Sequence, residues 1–471
     1  MIGEITKEDL PSKDVLEIIG KISDPDVYAV GGYVRDYFLG LPSDDIDIVV
    51  VGNGPEVAKQ FADFTRSRVD IFKTYGTAKV NYKNLEIEFV GARKESYAPD
   101  SRNPSVTPGT LEEDLTRRDF TINAIAINLK TWELVDPFGG TEDLRKGIIR
   151  TPTDPRKTFS DDPLRMLRCI RFSGRFNFTI EERILKAIRS CSSRIKIITM
   201  ERISTELGKI MEGPNPGRGF SLLEQTGLLK YIIPELSSLN EIPSVGHHKN
   251  NFHHSIQVLQ NVAEKSKSVW LRWAALLHDI GKSVEKSYDP EKGWSFHNHE
   301  FTGALMIRPI FERLRLPLGK TEEFVERMVR LHMRPSLISA EQITDSAVRK
   351  LLHDSDPYID ELMILCSCDY TTRSEEKQAK IRGHFNDLVN LIEDFKVRDY
   401  RRLFQPSLNG YDIMEYCGIG KGALVGILKE SVKNAILDGT LENTPDSIKK
   451  YLDEIYDREN HCLRENKEEG R

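Results

Sequence analysis

Asp45 and Asp47 flank a single isoleucine. In an extended segment this spacing puts both carboxylates on one face, because side-chain direction repeats every two residues, while Ile46 points into the core. Two carboxylates roughly 5–7 Å apart can bridge a pair of Mg²⁺ ions, which take oxygen ligands and keep positions open for phosphate. One ion of such a pair activates an attacking hydroxyl, and the other holds a triphosphate and its leaving pyrophosphate. Upstream, Gly31-Gly32 lets the backbone approach closely and turns N–H groups toward phosphate where a helix begins. Arg35, one turn in, suits a phosphate oxygen. Arg117-Arg118-Asp119 offers two phosphate donors and an acceptor for a sugar hydroxyl.

Asp162 and Arg165 are spaced i,i+3 and are expected to share a helix face. Aspartate accepts from the exocyclic amine of cytosine or adenine, and arginine donates to the neighbouring ring nitrogen or carbonyl. Uracil and guanine present the opposite pattern on that edge. Arg168 and Arg171 follow at three-residue steps. Each step drifts about 60° on an ideal helix, so Arg171 is expected to face away from Asp162, leaving Arg168 the stronger candidate.

A second constellation comes from histidines: His254, His278-Asp279, the pair His297 and His299, then His332, with Asp369 further on. Imidazole and carboxylate together suit Mn, Fe, Co or Ni, and two such ions would polarise a phosphate and activate water.

The elements that must position these groups are readable from pattern. Residues 13–21 read as a helix, 27–30 as a buried strand ending at Gly31-Gly32, and 34–39 as a helix broken by Gly40-Leu41-Pro42. Ile46 to Val51 read as a second strand before the turn Gly52-Asn53-Gly54-Pro55. Further β-rich stretches at 69–80 and 85–91 precede a polar, proline-containing loop at 96–109. From about 158 the pattern is helical throughout, punctuated at 213–217, and Pro243 to Gly246 opens the next domain. Residues 405–455 read as one more helical unit, and the charged end from about 457 as solvated or frayed.

The order strand, GG-x-x-R-D, helix, D-x-D resembles the polymerase-β-like nucleotidyltransferases, in particular the bacterial tRNA CCA-adding family (class II) with its poly(A) polymerase relatives. The matching residues are Gly31, Gly32, Val34, Arg35, Asp36, Asp45 and Asp47. Arg117 to Ala124 resembles that family's RRD segment, and Asp136 to Gly140 its hinge. Asp161-Asp162-Pro163-Leu164-Arg165 resembles its template motif, with aspartate where glutamate is common, and Met200 to Ile203 with Glu206 a supporting segment. The resemblance implies catalysis by Asp45 and Asp47 on Mg²⁺. It also implies nucleotide binding by Gly32, Arg35, Arg117, Arg118, Asp119, Asp162, Arg165, Arg168 and Arg171. Glu88 is a candidate third strand carboxylate. Leu276 to Lys282 resembles the signature of HD-domain phosphohydrolases, implying His254, His278, Asp279 and Asp369 as ligands and His299 and His332 at a second metal position. Asn409 to Gly422 resembles the family's tail, whose Gly-x-Gly turn either faces RNA phosphates or simply joins two helices.

The expected architecture is therefore α+β: a nucleotidyltransferase head with a small mixed sheet (1–150), an all-helical neck and body (151–242), a helical HD domain (243–375) and a helical, tRNA-binding tail (376–471). The implied activity is addition of C, C and A to tRNA from CTP and ATP, with a phosphohydrolase activity added by the HD domain. The alternatives are CC-only or A-only addition, poly(A) synthesis, or a metal phosphohydrolase with the head as an RNA-binding module. The intact Asp45/Asp47 pair argues against the last. The 96–109 loop does not assign the nucleotide choice.

Bulk composition bounds this reading. The 471 residues exceed one core. Six cysteines without a C-x-x-C pair suggest a reducing, cytoplasmic setting. No window approaches a membrane span, and the N-terminus lacks a signal pattern. Net charge is −6, but residues 145–210 are locally basic, and phosphates respond to the local face. The sequence leaves oligomeric state open.

Overall fold

The computed structural model describes residue 10 and residues 12–72, 76–96, 105–241, 250–289, 293–340, 344–370, 375–403, 406–437 and 440–468. It divides into two compact units: Met1–Arg334 with Pro357–Ser374, and Pro335–Asp356 with Glu375–Arg471. The reading at 243–246 and most of the 96–109 segment lie outside the described residues.

The head begins with α1 (Lys13–Ile22), β1 (Val27–Val30), α2 (Gly32–Phe38), β2 (Asp45–Val50) and α3 (Gly54–Thr65). It continues through β3 (Val69–Phe72), β4 (Thr77–Tyr82), β5 (Leu85–Gly91), β6 (Arg93–Ser96), β7 (Ser105–Pro108) and α4 (Leu111–Thr116). It ends with β8 (Ala126–Asn128), β9 (Leu134–Val135), α5 (Gly140–Lys146) and β10 (Ile148–Ile149). Among the described residues seven strands form one sheet, in the order β3-β4-β5-β2-β1-β8-β9. Within this sheet only β2 and β5 pair in parallel among the described residues, setting Asp45 opposite Glu86 and Asp47 opposite Glu88. The mixed sheet and the α+β class agree with the sequence expectation.

Alternation in β2 sends Ile46, Ile48 and Val50, all fully buried, to one face. On the other face, Val49 packs with Val30, Ala92, Leu115, Ala124 and Ala126. One strand face thus runs from a closed apolar core out to two carboxylates. The proline-containing stretch is more ordered than a loop at its ends, because β6 and β7 pair as an antiparallel ladder from Arg93↔Pro108 to Ser96↔Ser105. Pro108 sits at the edge, where its missing N–H costs no ladder bond.

The helical body comprises α6 (Pro155–Asp161), α7 (Leu164–Phe176), β11 (Thr179–Ile180), α8 (Glu182–Cys191), α9 (Met200–Glu212), α10 (Pro216–Gln225), α11 (Leu229–Ile232) and α12 (Pro234–Ser238). Next come α13 (Asn251–Lys265), α14 (Val269–Leu277), the hairpin β12 (Ser287–Asp289) and β13 (Gly293–Ser295), α15 (His299–Arg313), α16 (Lys320–Leu331), α17 (Met333–Ala340), α18 (Asp345–Ser355) and α19 (Ile359–Asp369). The expectation of unbroken helix after 158 misses that hairpin and β11, which pairs in parallel with β10. Arg272 binds the body together: its guanidinium donates to carbonyls of Met211, Glu212, Gly213, Ala263 and Ser266, at the C-terminal ends of α9 and α13. Those carbonyls have no intrahelical donor, so one arginine satisfies two helix ends.

The second unit contains α18 and most of α17, together with α20 (Glu375–Leu403), α21 (Gly410–Cys417), α22 (Ala423–Leu437) and α23 (Pro445–Glu468). Its core is Ile413, Leu428, Val432, Ile448, Leu452 and Ile455. Asn409 caps α21 through a capping box with Asp412, and Gly418 ends that helix in the left-handed conformation (φ 66°). The first glycine of the Gly-x-Gly turn therefore closes a helix rather than opening one. Past residue 457, where fraying was expected, α23 continues helical to Glu468.

Candidate nucleotide and metal centres

The turn from β1 into α2 needs glycine. Gly31 has φ 70° and ψ −129°, and a Cβ there would lie 2.8 Å from Arg118 Nη1 and 3.1 Å from Asp47 Oδ2. Gly31→Ala is expected to cost about 1–3 kcal/mol through backbone strain alone, read by urea unfolding. A variant as stable as the parent would mean the turn relaxes to an ordinary φ. Arg35, buried in α2, donates to Asp36 Oδ1 (2.8 Å) and Asn123 Oδ1 (2.8 Å) and lies against the rings of Phe172 and Phe176.

Asp45 is exposed at the open end of β2 and Asp47 is largely enclosed. Burial drives the Asp47 carboxyl up to about 6, with Arg118 opposing and Asp45 and Glu88 adding repulsion. Burial also raises Asp45 and Glu88, helped by Glu86 and Asp45 respectively. Glu88 is thus a third carboxylate on this face. Three oxygen ligands that repel one another and resist ionising suit a hard divalent cation, which supplies the missing positive charge.

A cleft of about 610 Å³ opens beside Asp47. Among its described lining residues are eight arginines (35, 117, 118, 165, 168, 171, 175 and 202) against four acids, Asp47, Asp119, Asp162 and Glu206. That excess fits a polyanion. The cleft contains Gly32, Arg35, Asp47, Arg117, Arg118, Asp119, Asp162, Arg165, Arg168 and Arg171, all named from the sequence. Asp45 instead lines the adjoining recess with residues 81–86.

Asp162 and Arg165 do not lie on one continuous helix. Pro163 forces the residue before it out of the helical region, and Asp162 is extended (φ −136°, ψ 101°) between α6 and α7. Asp162 Oδ1 caps α7 by accepting from Leu164 N at 3.1 Å, leaving Oδ2 toward Arg202 Nη2 at 3.9 Å. Arg165 Nη2 donates to the Arg117 carbonyl at 2.7 Å. Arg168 Nε donates to Asp119 Oδ2 at 2.7 Å. Burial would raise the Asp119 carboxyl, but Arg168 and Asn123 hold it down at about 2. Arg171 also lines the cleft. Glu206 on α9 draws its guanidinium across (3.2 Å), and burial lowers Arg171 to about 10. The pairwise reading also missed Asp114, whose carboxylate takes both Arg117 and Arg118. Its spacing, three and four residues before them, was the available signal.

The histidine centre gathers five helix ends. His254 is in the first turn of α13, His278 follows α14, His299 starts α15, His332 follows α16, and Asp369 ends α19. Gly281 permits the convergence, since a Cβ there would lie 2.0 Å from the His299 carbonyl oxygen. His254 Nε2 is 2.7 Å from Asp369 Oδ1; His278 Nε2 is 3.3 Å from His254 Nε2 and 3.4 Å from both Asp279 Oδ2 and Asp369 Oδ1. On its other side, Asp279 Oδ1 is 3.3 Å from His299 Nε2 and 3.8 Å from His332 Nε2. Two ligand trios result, His254-His278-Asp279 and Asp279-His299-His332, with Asp279 common to both. His278, His299 and His332 each engage a backbone carbonyl through Nδ1, which turns Nε2 inward. The Nε2 atoms of His299 and His332 are buried without a hydrogen-bond partner, as expected of metal ligands. His297 is exposed, so of the pair it is His299 that enters the centre.

Burial alone would lower His278, but Asp279 and Asp369 reverse this and hold it at about 10. Burial and the neighbouring His278 push His332 down to about 4. Burial is overcome for both acids: Lys282 and His278 hold Asp279, and His278 and His254 hold Asp369, far below the usual carboxylate range.

Three families match along the chain: the poly A polymerase head domain over residues 27–150, the probable RNA and SrmB-binding site of polymerase A over 177–239, and the HD domain over 251–374. The CCA-adding enzyme of Anoxybacillus flavithermus is 28% identical over 93% of this chain and 95% of its own length. The multifunctional CCA protein of Nitrosococcus oceani is 31% identical over 74% of this chain and 85% of its own. The A-adding tRNA nucleotidyltransferase of Deinococcus radiodurans is 28% identical over 91% of this chain and 95% of its own. The fold is that of the Thermotoga maritima CCA-adding enzyme solved with tRNA (TM-score 0.60, 24% identity, 95% and 97% coverage).

Proposed function

The chain belongs to the family of CCA-adding nucleotidyltransferases, and from that premise we propose that it adds C, C and A in turn to the 3′ end of tRNA. The carrying observation is the arginine-lined cleft that holds Asp47, Asp162 and Arg165 together, with Asp45 and Glu88 beside Asp47 on the same face of the sheet. Members of this family use divalent metal, and the oxygen-only donor set favours Mg²⁺. Asp45 and Asp47 would hold it, and when bound it lowers the charge barrier between hydroxyl and triphosphate.

The chain's own groups then do the positioning. Arg35, Arg117 and Arg118 neutralise the triphosphate, and Asp119, held ionised by Arg168, accepts from the ribose. Asp162 Oδ2 and the unused N–H groups of Arg165 face the base edge. The tRNA 3′-oxygen forms a bond to the α-phosphorus, the α–β bridging bond breaks, pyrophosphate leaves and the hydroxyl proton is released. The proposed division of labour is head 1–150, neck and body 151–242, HD domain 243–375 and tail 376–471 for tRNA. Among the described residues no helix is long and apolar enough to cross a membrane. We place the reaction in the cytoplasm on the composition alone, six cysteines without a C-x-x-C pair.

The test supplies tRNA transcripts ending before CCA, before CA and before A with one labelled nucleotide at a time. Incorporation of C, C and A on the respective ends supports the proposal, and no incorporation overturns it. The Deinococcus relative matches at the same identity as the CCA-adding one, so the second reading is addition of A alone. Extension restricted to the transcript lacking only A would assign it.

The histidine centre is proposed to hold divalent ions of the Mn, Fe, Co or Ni group: His254, His278, Asp279, Asp369, His299 and His332 would hold them, and they would supply the Lewis acidity for a phosphohydrolase activity. In the Asp47→Asn background, which takes the transferase carboxylates out of the count, Ni²⁺ or Mn²⁺ added to metal-free protein should raise its melting temperature, with about two ions bound by calorimetry. Asp279→Asn should abolish both effects, because it removes the ligand common to the two trios. Undiminished binding by that variant would contradict the assignment.

A further inference from the structure

Arg117 and Arg118 owe their placement to an acid that no role above covers. Asp114 is fully buried on α4, a short helix fixed by a capping box between Thr110 and Glu113. Its Oδ1 accepts from Arg117 Nε (3.0 Å) and Nη2 (2.6 Å), and its Oδ2 from Arg118 Nε (3.3 Å) and Nη2 (3.1 Å). One carboxylate therefore occupies the same edge of both guanidinium groups.

The two arginines are not equally anchored. Arg117 Nη1 also donates to Glu95 at 3.0 Å. Among the described residues Arg118 Nη1 donates only to the Asn123 carbonyl, at 3.4 Å. A Cβ on Gly31 would lie 2.8 Å from that same nitrogen and 3.1 Å from Asp47 Oδ2, so guanidinium and carboxylate both border the bare face of this glycine. Attraction between a guanidinium and a half-desolvated carboxylate is strong in such a setting. An arginine that closed on Asp47 would occupy the oxygens a metal needs.

Resting on the nucleotidyltransferase reading, we propose that Asp114 is a positioning residue: it tethers Arg118 short of Asp47 at the face of Gly31, so that Arg118 meets the incoming triphosphate instead of sealing Asp47 against metal. Loss of Asp114 leaves Arg117 held by Glu95 and releases Arg118 from its charged anchor. The expected defect is thus in metal affinity at Asp47, not only in nucleotide affinity.

The probe is Mn²⁺, followed by loss of the free-ion EPR signal, with all proteins carrying Asp279→Asn to silence the histidine centre. Asp114→Asn should weaken Mn²⁺ binding about tenfold or more. Adding Arg118→Gln to it should restore the affinity of Arg118→Gln alone, because no stray guanidinium remains. Parental Mn²⁺ affinity in Asp114→Asn, or a defect that persists in the double variant, would overturn the proposal. A second comparison needs no change at 114: Arg118→Gln alone should keep Mn²⁺ affinity within about threefold while weakening CTP. A marked tightening would show that Arg118 already competes in the parent, against the proposal. If Asp47→Asn binds Mn²⁺ like the parent, the transferase reading fails at its premise and this tether with it.

Discussion

Asp47→Asn is expected to lower nucleotide addition by at least ~10³-fold while the protein stays folded. Asparagine keeps the shape of the side chain and its place on β2 but removes the charge that burial and two neighbouring carboxylates already strain. A neutral amide oxygen is a poor ligand for a hard cation, and Asp45 alone is too exposed to enclose one. Stability should not fall and can rise slightly, because an electrostatically opposed acid has been removed. The measurement is single-turnover extension of a tRNA ending before CCA, beside a thermal melt. A rate within tenfold of the parent would move the catalytic metal off this strand.

The second large effect concerns choice of base. Asp162→Asn retains the oxygen that caps α7 but exchanges the acceptor facing the base for a donor. Each residue of the pair is half committed already, Asp162 Oδ1 to Leu164 N and Arg165 Nη2 to the Arg117 carbonyl. The remaining atoms have little freedom to choose another partner. Because a mismatched buried polar edge is penalised more than a matched one is rewarded, preference for CTP over UTP in kcat/KM should fall by about 10²-fold. Much of that fall should come from gained UTP use, since the new amide can donate to the uracil carbonyl. Unchanged discrimination would assign base choice to other residues of the cleft.

Much of this arrangement was legible in the residues, and for physical reasons. The Asp45–Asp47 pair obeys the two-residue period of a strand, and Gly31 marks a turn that a Cβ would obstruct, so local pattern sufficed. The clustering of the histidines and aspartates was legible because they sit at helix ends beside a signature glycine. What pattern alone could not supply was long-range pairing. The parallel pairing that brings Glu88 beside Asp47 lies thirty-odd residues beyond β2 in the chain. The Arg171–Glu206 pair joins two helices thirty-five residues apart in sequence, beyond the reach of local spacing. The reading of Asp162 and Arg165 on one helix failed because Pro163 intervenes, a local signal that was present and outweighed by the spacing. The β6–β7 ladder was obscured by a polar composition usual for loops and equally usual for edge strands.

The most direct measurement is to offer a tRNA transcript that ends before CCA to the protein with all four nucleotides at equal concentration, and to sequence every product end. Ends that read C, CC and CCA, with none longer and none containing U or G, are the expected result. Products with uracil or guanine, long adenosine tails, or no extension at all would contradict the account.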